Sequence, residues 1–260
     1  MGIVRNIQRK SKNYLYPYKK TIKYCDIKMK ILVANDNGDR WYAKKSRGVW
    51  PEMEFIKEHF IKEGDCVLEV GAHHGVTSLF FSKVVGDRGK VIAMEPDDAN
   101  FDILSQITKI NNATNIQRVN AGAGSKKRKL NIDGWDSNSH IMEDGSGQPC
   151  EIIPLDVFFS EQPNFLKIDV QGFEMEVLKG AKNILASRPN IAIELHPREI
   201  RNRYGATVDE IKKYIDLCSH EIWFQGDDMS MPQRINNVDS VLAQDLKNYH
   251  LFLKPMNVTD

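Results

Sequence analysis

The chain has 260 residues, 41% hydrophobic and 27% charged, which is enough for one large domain with a sizeable core and excludes a collagenous or wholly disordered protein. Its longest stretch without a charged residue lies between Glu69 and Lys83 and is shorter than the roughly 20 apolar residues of a membrane-spanning helix. The 36 basic and 35 acidic residues nearly balance, but the first 30 residues are strongly basic.

This basic N-terminal arm lacks the apolar run of a signal peptide, so we expect a cytoplasmic protein. The simplest interpretation of the arm is a solvated tail. Its interleaved tyrosines leave open a weak contact with an anionic membrane surface or an acidic acceptor. Nucleic acid is not an expected partner, because the basic excess is confined to one end of a nearly neutral chain. The sequence gives no prediction of the oligomeric state.

The segment from Lys28 to Lys45 predicts a β-hairpin, because the strand-like runs MKILVA and RWYAK flank an Asn-Asp-Asn-Gly-Asp turn. We expect this hairpin to cap the protein. Residues 1–50 then form a basic arm plus cap, and residues 51–260 form the main domain. Apolar residues at helical spacing predict a helix over residues 51–62.

From residue 67 onward, strand and helix patterns alternate with short connections. Strands are predicted at 67–70, 91–95, 116–121, 165–170 and 191–195, and helices at 76–85, 99–110, 173–185 and 208–218. This alternation predicts a parallel sheet covered by helices on both faces. A polar stretch over 124–148 is flanked by further strand patterns at 126–132 and 150–157, and the runs 221–225 and 249–254 predict an antiparallel pair at one edge.

The run Val67-Leu-Glu-Val-Gly-Ala-His-His-Gly75 is an apolar strand that ends in a glycine turn before a helix. Ligands of open α/β sheets bind at such strand ends. A dinucleotide motif would have glycine where His73 stands, so the turn disfavours NAD and FAD. It suits a nucleoside without phosphates, with Glu69 available to an ammonium group, and this description fits S-adenosylmethionine. The alternative is an ordinary strand-to-helix turn.

The next strand ends in Glu95-Pro96-Asp97, and Glu95 follows Gly75 by 20 residues. A carboxylate at this spacing can accept both hydroxyls of a ribose. A solvated strand-end acid, or a charge at the start of a helix, is the alternative for Glu95. The third strand ends in Asn120-Ala-Gly-Ala-Gly124, whose small residues leave room for an adenine ring.

A longer motif, Lys167-Ile-Asp-Val-Gln-Gly-Phe-Glu-Met-Glu-Val-Leu-Lys-Gly-Ala181, follows the fourth strand. Together with Glu69-Val-Gly-Ala-x-x-Gly75, Glu95-Pro96 and Glu194-Leu-His196, it resembles the FkbM-type family of S-adenosylmethionine-dependent methyltransferases. The resemblance covers roughly residues 50–200. Two positions depart from the family pattern: His73 stands where asparagine is common, and Gln171 stands where glutamate is common, so no acid chemistry is expected at residue 171.

The resemblance implies a class I methyltransferase, a Rossmann-like α/β fold with a seven-stranded, mostly parallel sheet, helices on both faces and an antiparallel edge strand. It also implies methyl transfer from S-adenosylmethionine to a hydroxyl of a small molecule such as a sugar, a glycan terminus or a secondary metabolite. Carried over residue by residue, the family pattern assigns the cofactor to Glu69, Gly71, Ala72, Gly75, Glu95, Pro96, Ala123 and Asp169.

Transfer to an alcohol needs alignment and a base for the hydroxyl proton. His196 is a candidate because histidine titrates near neutral pH and because it shares a strand face with Glu194 near the ligand. Its alternative is a strand-end histidine bonded to a backbone carbonyl. His140, in the stretch expected to overhang the pocket, and Asp169 are the other candidates, although a carboxylate is a weak base for an alcohol.

No metal is expected. Asp169 alone does not make a divalent-cation site, and neither His-x-x-x-His nor Cys-x-x-Cys spacing is present. The four cysteines are too far apart for a zinc or disulfide framework and are predicted to be reduced.

Two other functions remain open at the level of sequence. A nicotinamide-dependent oxidoreductase shares the ribose-binding acid but is expected to have glycine at position 73. A cofactor-binding module that has lost catalysis shares the whole pocket, and only an assay of methyl transfer separates it from an enzyme.

Overall fold

The coordinates are a computed structural model that describes residues 16–44, 50–134, 139–142, 145–158, 162–226, 230–244 and 246–256. Residues 1–15, which form half of the predicted arm, lie outside the described residues. Within the described part of the chain, no helix has the length and apolar character needed to cross a membrane.

A hairpin does form near the N-terminus, but not where the sequence predicts it. Strands β1 (Tyr18–Tyr24) and β2 (Ile27–Val33) pair antiparallel through a two-residue turn at Cys25 and Asp26, both with positive φ. The run RWYAK, predicted as the second strand, is instead part of a π-helix, Asp39–Lys44, that follows the short helix α1 (Asp36–Gly38). The Asn-Gly segment is a helix start because the Asn35 side chain accepts a hydrogen bond from the Gly38 amide, at 2.8 Å.

The hairpin is built into the main core, which corrects the interpretation of residues 16–30 as part of a solvated tail. Tyr24 is 1% exposed, stacks on Trp50 at 5.1 Å and donates a hydrogen bond to the Tyr42 carbonyl. The apolar side chains of β2 pack in the same cluster as Leu79 and Phe80 of the main domain. The division of the chain at residue 50 remains a prediction.

The described residues form twelve further strands. They are β3 (Cys66–Val70), β4 (Lys90–Met94), β5 (Ile116–Val119), β6 (Gly122–Ala123), β7 (Arg128–Asp133), β8 (His140–Met142), β9 (Gln148–Ile153), β10 (Phe165–Ile168), β11 (Asn190–Leu195), β12 (His220–Gln225), β13 (Gln233–Ile235) and β14 (Tyr249–Pro255). The main sheet has the order β13-β12-β14-β11-β10-β3-β4-β5, and a smaller sheet has the order β6-β9-β7-β8.

The mostly parallel sheet is confirmed. Strands β5, β4, β3, β10 and β11 pair in parallel, and β14, β12 and β13 extend the sheet antiparallel. The described sheet has eight strands rather than seven, and the antiparallel β14 lies inside it, because β12 and β13 continue beyond β14. The predicted strand pair at 221–225 and 249–254 is confirmed as the neighbours β12 and β14.

Helices cover both faces of the sheet, as predicted. The described α-helices after α1 are α2 (Pro51–His59), α3 (Val76–Val85), α4 (Asp98–Ile110), α5 (Leu155–Phe158), α6 (Glu174–Lys179), α7 (Lys182–Ala186), α8 (Pro197–Tyr204) and α9 (Asp239–Leu242). Alternate residues of β3 point to opposite faces: Val67 joins the core that contains α3 and α4, and Leu68 joins the core that contains α6 and α8.

Several helix predictions were wrong in detail. The predicted helix at 173–185 is divided at Gly180, where a side chain would lie 2.0 Å from the Gly124 carbonyl oxygen. The segment 208–218 forms two 3₁₀ helices, Val208–Lys213 and Leu217–Ser219, instead of one α-helix. Helix α8 was not predicted, and it begins at Pro197, in the first helical position, which proline favours.

The first prediction concerns the hairpin. Tyr24→Ala removes a buried ring from the core and should destabilise the protein by about 3–5 kcal/mol, the usual range for an aromatic residue in a core. Thr21→Ala, on the exposed face of the same strand, should change stability by less than about 0.5 kcal/mol. Denaturant unfolding measures both, and equal stability of the two variants would show that the hairpin is a dispensable cap.

Candidate functional site

A cavity of about 490 Å³ opens at the carboxyl ends of the parallel strands. It is lined by Val70 at the end of β3 and by the residues that directly follow three other strands, Glu95 after β4, Asp169 after β10 and His196 after β11. Ligands of open α/β sheets bind at this position, and the volume lies within the usual range of about 300–1,000 Å³ for small-molecule sites.

The turn between β3 and α3 is shaped by two glycines. Gly71 has φ of +88°, and a side chain there would lie 1.8 Å from the Asp169 carbonyl oxygen. Gly75 has φ of +76°, and a side chain there would overlap Leu104. Between them, His73 has φ of +52°, a conformation that Asn, Asp and His tolerate better than most residues. The turn therefore requires its glycines for steric reasons before any ligand is considered.

Glu69 lies beneath this turn and is fully buried. Its carboxylate accepts hydrogen bonds from Thr77 and from Ser78 Oγ, the latter at 2.5 Å, and lies 3.9 Å from Lys167 Nζ. Burial raises the pKa of Glu69, while Lys167 and the two hydroxyls act in the opposite direction. Glu69 does not line the cavity, so the structure places it as a support of the turn and a source of negative charge behind it.

Glu95 faces the cavity from the end of β4. It accepts hydrogen bonds from the backbone amides of His73, at 2.7 Å, and Asp97, at 3.0 Å, and the Asn100 side chain lies beside it. Burial raises the pKa of Glu95 to about 7, against the lowering effects of His73 and the two backbone hydrogen bonds. Each carboxylate oxygen retains lone pairs with which it can accept a further donor.

Small residues line the cavity beyond Glu95. Ala121, Gly122 and Ala123 leave a flat recess, and Asn120 fixes the strand end by donating to the Glu95 carbonyl at 3.1 Å. A side chain at Gly122 would lie 2.8 Å from Ile152, so the smaller sheet packs directly against this recess.

The other half of the cavity holds two groups of ion pairs. In the first, Lys167 lies 3.5 Å from Asp169 and 3.9 Å from Glu69. Strand register brings this group together, because Lys167 pairs with Glu69 across β10 and β3. Burial lowers the pKa of Lys167, but Asp169 and Glu69 outweigh burial and raise it above its ordinary value.

The second group is centred on Glu194. His250 lies 3.4 Å from Glu194 and 3.3 Å from Glu52, and His196 lies 3.6 Å from Glu194 and 2.8 Å from Glu174. Burial raises the pKa of Glu194, but His250, His196 and a hydrogen bond from Asn248 outweigh burial and hold it well below its ordinary value.

The two histidines of this group favour the charged form. Burial lowers the pKa of His196, but the charge and hydrogen bond of Glu174, with Glu194 and Asp169, raise it to about 10. Burial opposes the charge of His250 in the same way, and Glu194 and Glu52 raise its pKa to about 9. Glu174 and Glu194 therefore favour the charged form of His196, and this form has no free lone pair with which to act as a base.

The two groups meet at the cavity surface. Asp169 belongs to the first group, and Glu194 and His196 belong to the second. Side-chain oxygen or nitrogen atoms of these three residues all lie within 4.8 Å of one another. The sequence-based expectation that a metal is not required stays a prediction, but its premise that Asp169 stands alone is not supported.

The predicted cofactor residues divide into lining and supporting positions. Glu69 and Gly75 support the turn, whereas the others line the cavity: Gly71, Ala72, Glu95, Pro96, Ala123 and Asp169. His196 also lines it. His140 does not, although its neighbours Ser139 and Ile141 do, as the alternation of side chains along a strand requires. Burial, followed by the charge of Arg203, lowers the pKa of His140. Its proposed role as a base stays a prediction.

Sequence reasoning missed several residues of the site. Lys167 carried a usable signal, because a lysine inside the apolar run Phe-Leu-Lys-Ile, two residues before Asp169, predicts a buried pair on one strand face. Glu52 and His250 carried none, since only the pairing of β14 with β11 brings His250 beside Glu194. The aromatic residues Trp41, Tyr42 and Trp50, which also line the cavity, were hidden by the wrong hairpin assignment.

An α/β sheet of this kind, with a glycine turn after β3 and an acid after β4 facing one cavity, is the fold of the class I methyltransferases. A family model of the methyltransferase FkbM domain matches residues 69–222, more than half of the chain. The chain belongs to the FkbM methyltransferase family.

Individual relatives are more distant. The hexuronic acid methyltransferase AglP of Haloferax volcanii is 25% identical over 163 residues, which cover 60% of this chain and 66% of AglP. A crystal structure of an FkbM methyltransferase from Methylobacillus flagellatus has a TM-score of 0.53 at 18% identity over 78% of this chain and 47% of that one. A putative rRNA-methylase from Clostridium thermocellum has a TM-score of 0.50 at 13% identity, covering 79% of this chain and 94% of that one. These structural likenesses concern the fold alone, and the chain spans less than two thirds of the first two proteins.

The second prediction tests the buried charges of the first group. Lys167→Met leaves Glu69 and Asp169 without their cation and should destabilise the protein by about 3–5 kcal/mol, as expected when one partner of a buried pair is removed. Adding Glu69→Gln removes the stranded charge, so the double variant should lose less stability than the sum of the single variants. Denaturant unfolding of all four proteins measures the coupling, and additive losses would mean that Lys167 and Glu69 do not interact.

Proposed function

We propose that the protein is an S-adenosylmethionine-dependent O-methyltransferase that methylates a sugar or glycan, with a hexuronic acid as the favoured acceptor class. The observation that carries the proposal is the convergence of Glu95, the Gly71 turn and Asp169 on one cavity, in a chain that belongs to a methyltransferase family.

The donor set of the cavity fits this cofactor. Glu95 and Asn100 supply an acceptor and a donor for the two hydroxyls of a ribose, and the recess of Ala121, Gly122 and Ala123 suits a flat base. The carboxylate of Asp169 lines the cavity and offers negative charge to a sulfonium or an ammonium group, with Glu69 behind the turn.

The same geometry argues against a dinucleotide. A pyrophosphate needs close approach to the backbone of the glycine turn. Here His73 occupies the middle of that turn, with its Nδ1 atom 2.6 Å from the Tyr42 hydroxyl. The Tyr42 and His73 side chains therefore fill the approach that a pyrophosphate would use.

When bound, S-adenosylmethionine supplies a methyl group on a sulfonium sulfur, which leaves as a neutral thioether when the acceptor oxygen bonds to the methyl carbon. The protein orients the acceptor and receives its hydroxyl proton. Asp169 receives that proton in our proposal, because its carboxylate is partly open to the cavity, whereas Glu174 and Glu194 favour the charged form of His196. His196 serves as a hydrogen-bond donor or ligand for an acceptor oxygen.

The choice of acceptor rests on AglP, whose name states a hexuronic acid substrate, and on the cavity itself. Trp41, 36% exposed, offers a ring face at the cavity wall, and Lys247 offers a positive charge for a carboxylate. Small-molecule pockets commonly combine aromatic walls with a few placed charges, and the negative charge of a hexuronic acid would pair with Lys247.

The third prediction concerns Glu95. Glu95→Gln should weaken binding of S-adenosylhomocysteine, because an amide cannot accept hydrogen bonds on both of its polar atoms. In the wild type, the affinity for S-adenosylhomocysteine should be about tenfold lower one pH unit below the Glu95 pKa of about 7 than at high pH. The reason is that most of the Glu95 carboxyl then carries a proton. Calorimetry across this pH range should show the slope in the wild type and its loss in Glu95→Gln. An unchanged slope in the variant would remove Glu95 from the cofactor site.

The fourth prediction concerns the acceptor. Incubation with labelled S-adenosylmethionine should label glucuronic or galacturonic acid, free or at a glycan terminus, more strongly than glucose or galactose. Mild alkaline hydrolysis distinguishes the products, because a methyl ester releases its label and a methyl ether does not. An ether is expected. Label released by alkali would move the reaction from the hydroxyl to the carboxylate, and equal labelling of neutral sugars would contradict the acidic acceptor class.

Binding of the cofactor without transfer to any sugar in this panel, or to a fractionated cell extract, would favour a module that has lost catalysis. Binding of NAD instead of S-adenosylmethionine would favour the oxidoreductase.

A further inference from the structure

We infer that Asp169, Glu194 and His196 form a binding site for a divalent transition-metal ion, which would hold the acceptor oxygen beside the cofactor. This inference rests on the proposed function only for the role of the ion. The binding site itself follows from the positions of the three side chains.

The first support is the arrangement of ligand atoms. One oxygen of Asp169, one oxygen of Glu194 and one nitrogen of His196 lie within 4.8 Å of one another at the cavity surface. Two ligand atoms that each bind an ion at about 2.1 Å are at most about 4.2 Å apart. A small side-chain movement would therefore bring these three atoms close enough to coordinate one ion. Three protein ligands on one side leave open positions for water or substrate oxygens.

The second support is the way His196 is held. The residue is 5% exposed, and its Nδ1 atom lies 2.8 Å from Glu174 Oε1. Nε2 lies 3.6 Å from Glu194 Oε1, which is beyond hydrogen-bond length. Histidine ligands of metals are commonly fixed in this way, with one nitrogen bonded to a carboxylate and the other directed at the ion. Binding of the ion would displace the proton from Nε2 to solvent, because only a neutral imidazole coordinates a metal. Glu174 is itself fixed by the Gly172 amide, at 2.9 Å.

The third support is the balance of charge. The two ion-pair groups contain five carboxylates, those of Glu52, Glu69, Asp169, Glu174 and Glu194, but three basic side chains, those of Lys167, His196 and His250. Negative charge therefore remains in excess even when both imidazoles are protonated. Asp169, Glu194 and His196 lie where the two groups meet. A divalent ion bound there would offset the excess negative charge of both groups.

The ligand types indicate which ion is expected. Carboxylates suit Mn²⁺ and Mg²⁺, whereas an imidazole suits the transition metals better than Mg²⁺. Mn²⁺ satisfies both preferences, and we expect it to bind more tightly than Mg²⁺.

The ion would also supply what the proposed proton transfer lacks. A carboxylate is a weak base for an alcohol, and a bound cation lowers the pKa of an oxygen that it coordinates. Asp169 can coordinate the ion through one oxygen and accept the hydroxyl proton on the other. The acceptor oxygen then bonds to the methyl carbon as the carbon–sulfur bond breaks.

The fifth prediction is a titration of the metal-stripped, full-length protein with Mn²⁺, followed by the electron paramagnetic resonance signal of the free ion. One Mn²⁺ should bind per chain. Asp169→Asn and Glu194→Gln should each weaken binding at least about tenfold, and Glu174→Gln, which acts through His196, should weaken it about 10–100-fold. Glu199→Gln is the matched control, because Glu199 lines the same cavity outside the cluster, and it should bind as the wild type does. Thermal melting of each variant verifies that it is folded.

Absence of Mn²⁺ binding to the wild type, or equal weakening by Glu199→Gln, would overturn the inference. A second measurement separates it from the proposed function. With a chelator, binding of S-adenosylhomocysteine should persist while methyl transfer falls at least tenfold and is restored by Mn²⁺. Undiminished transfer in the chelator would remove the ion from the reaction and leave the methyltransferase intact. Failure to bind the cofactor would contradict the proposed function, whatever the Mn²⁺ titration shows.

Discussion

The chemistry of this protein depends on the burial of acidic side chains at one edge of its sheet. An unpaired carboxylate away from water is costly, so each one must find a donor or a cation. Glu69 accepts hydrogen bonds from Thr77 and Ser78 and pairs with Lys167. Glu95 accepts hydrogen bonds from two backbone amides. These partners hold the carboxylates in place before any ligand arrives, and preorganised charge is what a site needs in order to bind and orient a cationic cofactor.

Strand pairing in the rest of the fold brings these charged side chains together at one edge of the sheet. Parallel pairing of β10 with β3 and β11 brings Glu69, Lys167 and Asp169 to one edge, and the antiparallel β14 adds His250 beside Glu194. Tyr42 of the π-helix and Trp50 line the cavity, where Tyr42 contacts His73, and the hairpin supports them from behind, where Tyr24 packs on Trp50. The π-helix is therefore part of the cavity, and the hairpin belongs to the core that supports it.

The parts of this structure that local patterns encode were predictable from the sequence. The strand-turn-helix at Gly71 and the acid at Glu95 follow from residue spacing, and the mostly parallel sheet follows from the alternation of strand and helix patterns. The hairpin was misplaced because the predicted turn also contains Asn35, a good helix N-cap, whereas the turn actually used, at Cys25 and Asp26, has no Asn-Gly signature. His250 lies beside Glu194 because β14 pairs with β11, and the paired residues of these strands are 54 or more positions apart in the chain. No local sequence pattern predicts such a pairing.

The central claim is that the cavity at the ends of β3, β4 and β10 is the cofactor site. A crystal structure of the protein with S-adenosylhomocysteine tests it most directly. The ribose should lie against Glu95, the base in the recess of Ala121 to Ala123, and the sulfur on the side of Asp169. Density for the ligand at another place on the protein, or no density at saturating concentration, would contradict the claim.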